Sequence, residues 1–80
     1  MANKKELREL LKRKIDLSIP KVLEARRLDE AADQLIKARH ADRPLFEAIA
    51  REASGDEHIQ INFSNTDIDD VNDILNQINE

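Results

Sequence analysis

Residues 58–75 read "HIQINFSNTDIDDVNDIL", and the choice between an all-helical and a mixed fold rests on this stretch. Ile59, Ile61 and Phe63 alternate with polar residues, the period of a strand with one covered face. After them the spacing becomes helical: Ile68, Val71, Leu75 and Ile78 form one stripe, with Ile74 at its edge. No other stretch of the chain alternates in this way, so the expected strand over residues 58–63 has no internal partner. It either packs as an extended segment over helices or pairs outside the chain, with another protein or with its own copy.

Working outward, the helix after the strand has a start signal. Ser64 with Asp67, or Thr66 with Asp69, fits a capping box with Asp in place of the preferred Glu. Upstream, "HADRPLF" supplies Asp42 as a cap and Pro44 in a first turn. Leu45, Phe46, Ile49, Ala50 and Ala53 then share one arc of a short helix that Ser54–Gly55 ends. Between Pro20 and about Arg39 a longer helix is expected, introduced by Ser18 and striped by Val22, Ala25, Leu28, Ala32, Leu35 and Ile36. Leu23 falls off that stripe and is a candidate second contact. Residues 3–15 carry Leu7, Leu10, Leu11 and Ile15 on one face, which Lys14 interrupts near the helix end. The expected fold is therefore mainly α, a small bundle of about four helices with one short strand or extended segment before the last.

Eighty residues make one domain, near the size where a single core barely offsets chain entropy. Leu, Ile, Val and Phe number 22, enough to expect folding, but 38% charged residues leave little apolar surplus. Without cysteine there is no disulfide framework and no thiolate metal site, which suits a reducing, cytoplasmic setting. No apolar run approaches the roughly 18 residues that span a bilayer, so no membrane role is expected. Two aromatics, Phe46 and Phe63, do not make a stacking platform for single-stranded nucleic acid.

Charge is segregated along the chain. Residues 1–27 hold nine Lys/Arg against four Asp/Glu, while residues 52–80 hold eight acids and no base. The domain thus has a basic N-terminal third and an acidic C-terminal third, which suggests different partners for its two ends or their mutual association.

Specific chemistry is hard to find. Asp67, Asp69, Asp70 and Asp73 resemble a cation loop at first sight, but the turn glycine and closing Glu of an EF-hand are missing. The dipole at a helix start is a sufficient reason for the first three of these acids. His40 and His58 are separated by 18 positions and have no metal-binding spacing. Ser18, Ser54 and Ser64 stand at helix ends, where capping is their ordinary use. No nucleophile has an identifiable base, one glycine excludes phosphate-cradling loops, and neither enzyme activity nor a metal or other cofactor is expected.

Two readings of function remain. In the first, the chain is a small cytosolic regulator or inhibitor that binds a protein partner, expected to be basic. Its contact residues are Ile59, Ile61, Phe63, Asp67, Asp69, Asp70 and Asp73, with the strand adding to a sheet edge and the carboxylates meeting cations. In size and charge layout the chain resembles small acidic antitoxins and inhibitors. The alternative is a dimeric nucleic-acid binder that sets Lys4, Lys5, Arg8, Lys12, Arg13, Lys21, Arg26 and Arg27 along phosphates. Glu6 and Glu9 interleave with those bases, and a net charge of −4 opposes that alternative.

Overall fold

Asn3 begins the first helix by accepting, through its side chain, the Glu6 N–H at 3.2 Å, one of the donors a helix start leaves unpaired. A computed structural model of the chain describes residues 3–15, 20–55, 58 and 63–79, with Lys21 by its backbone alone. Four helices follow in order among these residues: α1 (Lys4–Lys14), α2 (Lys21–Ala38), α3 (Arg43–Ser54) and α4 (Asn65–Ile78). Each begins and ends for a local chemical reason. The Asp42 carboxylate accepts the Leu45 N–H at 2.8 Å at the head of α3, and Gly55, at φ +73°, closes that helix in the left-handed conformation that glycine adopts without penalty.

At α4 the capping box forms between Ser64 and Asp67. The Ser64 N–H donates to Asp67 Oδ2 at 2.7 Å, and the Ser64 hydroxyl accepts the Asp67 N–H. α2 ends where expected, near Arg39, and differs at its start. Its N-cap is Pro20, with no side-chain cap, and Ser18 lies outside the described residues. Its C-cap is Arg39, at φ +68°, a conformation uncommon for a residue with a Cβ.

The apolar stripes converge on one core. Leu7, Leu10, Leu11 and Ile15 of the α1 segment meet Leu28, Ala31, Ala32 and Leu35 of α2, Phe46, Ile49, Ala50 and Ala53 of α3, and Val71 and Leu75 of α4. α2 touches each of the other three helices. Fully burying each large member contributes roughly 1.5–3 kcal/mol over leaving it exposed. The Cα radius of gyration, 11.6 Å, is that of a compact chain of this length.

Two expectations change. The α2 stripe was expected to begin at Val22 and Ala25, yet Val22 is 78% exposed and Ala25 also faces outward; burial begins at Leu28. Helical geometry explains this: at 3.6 residues per turn Val22 lies about 140° around α2 from Leu35, while Glu24, on the core side of that first turn, is half-buried and meets Lys12 of α1. Ala31 enters the core instead.

The second change concerns the strand. No strand occurs among the described residues; His58 sits in a turn, and Phe63 lies outside any regular element. Ile59 and Ile61 lie outside the described residues. Phe63 packs inward, its ring edge-to-face with Phe46 at 4.8 Å between centroids. A half-buried Phe63 held on α3 has an internal reason to be apolar, which alternation alone had assigned to a sheet face.

Candidate functional site

Of the proposed contact residues, the acids separate into two kinds. Asp67 is buried at 8% exposure, and besides capping α4 it meets the Lys14 ammonium at 3.1 Å. The Ser64 N–H, aided by Lys14, holds its carboxyl below the ordinary carboxylate range against the opposing effect of burial. Asp67 therefore serves the fold, tying the start of α4 to the end of α1. Lys14, which interrupts the α1 stripe, is the other half of that tie.

Asp69, Asp70 and Asp73 are all exposed. α4 begins at Asn65, so only Asp67 lies in its first turn, where the helix dipole acts. The dipole that seemed sufficient for Asp69 and Asp70 does not account for them. Asp69 and Asp73 stand four residues apart and Asp70 and Asp73 three, spacings at which like charges repel along a helix. None of the three forms an ion pair among the described residues, and α4 contains no base at all. With Asn65, Thr66, Asn76 and Gln77 they form an outward face that is polar and carries only negative charge.

The basic residues behave differently. Lys4 reaches Asp33 at 2.7 Å and Asp29 at 3.1 Å, and Arg8 donates to Asp29 at 2.9 Å. Lys12 lies 3.7 Å from Glu24. The two aspartates, Asp33 more strongly than Asp29, raise the Lys4 pKa above its ordinary value; in return Lys4, and after it Arg8, lowers that of Asp29. Arg27 donates to the Glu52 carbonyl at 3.5 Å. Lys5, Arg13 and Arg26 are exposed without an ion pair among the described residues, and Lys21 opens α2. The basic face of α1 is thus largely turned along α2 and compensated there.

Two positioning contacts were not legible in the sequence. Asn72 of α4 accepts the Ala41 N–H and donates to the Ala41 carbonyl, both at 2.8 Å. Arg43 stacks over the Phe63 ring, 4.8 Å from its centroid, and donates to Asn65 Oδ1. Both fix the approach to α4, so its acidic face is held on a braced helix. An Asn on the shoulder of an apolar stripe was the only available signal for the first.

Among the described residues no group of three His, Asp or Glu side chains is placed to hold a metal ion, and no helix is long and apolar enough to cross a membrane. Comparison with protein-family models, with curated proteins and with solved structures found no match to this chain.

Proposed function

We propose that this chain is a small regulatory or inhibitor-type binding protein that engages a basic surface on a protein partner through the outer face of α4, with Asp69, Asp70 and Asp73 as the contacting carboxylates. The supporting observation is the contrast in compensation. Lys4, Arg8, Lys12 and Lys14 all meet an acid within the fold, whereas these three carboxylates lie beyond the dipole, repel one another and meet no base among the described residues. A helix that retains such repulsion gains from a cationic partner, and the gain is greatest in rate of encounter and choice of partner. The nucleic-acid reading has weaker support, because its strongest candidate bases are already paired.

The test uses the intact chain as bait and compares it with the triple variant Asp69→Asn, Asp70→Asn, Asp73→Asn. The variant retains its fold by circular dichroism and loses capture of a basic protein that the parent retains at low salt and releases as salt rises. Equal capture by both chains would overturn the reading.

A further inference from the structure

A second surface lies away from the acidic face. Val22 and Leu23 are the large apolar side chains left exposed among the described residues, at 78% and 43%. Val22, Ala25 and Leu28 follow one another at three-residue spacing and so form a ridge on α2. Its inner end, Ala25 and Leu28, makes the floor of an open groove of about 280 Å³ between α1 and α2. The rim of that groove carries both signs in near balance, Lys5, Arg8 and Lys12 against Glu9 and Glu24, with Lys12 paired to Glu24 and Arg8 to Asp29 within the chain and Lys5 and Glu9 outside those pairs.

We propose that this α1–α2 face is the contact between two copies of the chain. A partner of one strong charge would select a rim of the opposite charge, as the outer face of α4 illustrates. A two-fold interface instead sets a patch against itself, so it needs both signs on the same patch. The α1–α2 rim meets that condition, and the exposed apolar ridge supplies the surface whose burial favours association. The contact leaves Asp69, Asp70 and Asp73 outside, so it is independent of the partner proposed for them.

Charge exchange tests this without assuming a register. A basic-rim variant, Glu9→Lys with Glu24→Lys, and an acidic-rim variant, Lys5→Glu with Lys12→Glu, are compared with the parent by sedimentation equilibrium. Circular dichroism verifies that each is folded. The parent dimerises, each variant alone is monomeric, and an equimolar mixture of the two restores a one-to-one dimer. Val22→Ser, at an exposed site that the fold does not use, weakens the parent dimer by about tenfold or more. A parent that stays monomeric up to millimolar concentration overturns the proposal, as does a dimer indifferent to Val22→Ser and to both rim changes.

Discussion

Asn72 holds the backbone of Ala41 at both ends of one peptide position, with its amide oxygen on the N–H and its amide nitrogen on the carbonyl, each at 2.8 Å. Ala41 is fully buried in the corner between α2 and α3, where these backbone groups are outside both helices. One side chain of α4 therefore satisfies a donor and an acceptor that burial separates from water. Asn72→Ala leaves both unpaired and is expected to cost about 2–3 kcal/mol, measured as a lower urea midpoint. Asn72→Asp keeps the acceptor, loses the donor, and should fall between the two.

Asp67 makes stability depend on pH in a definite direction. Its folded pKa is lowered, so its contribution is fully present above the unfolded carboxylate value of about 3.9 and is lost as pH falls through the folded one. Asp29 acts in the same sense. Lys4 acts in the opposite window: its folded pKa is raised above 10.5, so its contribution is present below that value and lost as pH rises through the folded one. Melting temperature followed against pH should show Asp67→Asn least stable relative to the parent near neutrality, with the gap closing in acid.

Val22 and Leu35, both assigned to the α2 stripe by their apolar character, stand about 140° apart around the helix, and one is 78% exposed while the other is fully buried. Leu35→Ala is expected to cost about 2–5 kcal/mol through lost transfer energy and the cavity left behind. Val22→Ala should change monomer stability by less than about 0.5 kcal/mol. Denaturant titration of both at a concentration where the chain is monomeric distinguishes them.

The ends of α2 and α3 use the same left-handed cap with opposite residues. Arg39 occupies it at φ +68° with a Cβ, and Gly55 at φ +73° without one. Arg39→Gly should therefore raise stability by about 0.5–1 kcal/mol, and Gly55→Ala should lower it by about 1 kcal/mol although the space around Gly55 is open. Thermal unfolding of the two variants reads both signs.

Phe63 couples the entry of α4 to α3 through the Phe46 ring and the Arg43 guanidinium. A double-mutant cycle on Arg43→Ala and Phe63→Leu should return a coupling of about 0.5–1 kcal/mol, the size of an exposed cation–π contact. A coupling near zero would mean that Arg43 acts through Asn65 alone.

Helix by helix, the sequence determined what depends on near neighbours. Asp42, Ser64 with Asp67, and Gly55 announced the helix ends they form, because a cap is a bond across three or four residues. The stripes of α1, α3 and α4 likewise pointed to their buried faces, since period decides which side chains share a face. What covers a face is not a local property. Ala25 follows the α2 stripe and is left exposed over the open groove between α1 and α2; Phe63 alternates like a strand residue and packs on Phe46. Charge followed the same division. Composition alone separated a basic end from an acidic one, but only the packing of α1 along α2 compensates Lys4, Arg8 and Lys12 and leaves Asp69, Asp70 and Asp73 without a counter-charge among the described residues. Ion pairs form between elements that tertiary structure brings within a few ångströms, and the order of residues along the chain does not specify that distance.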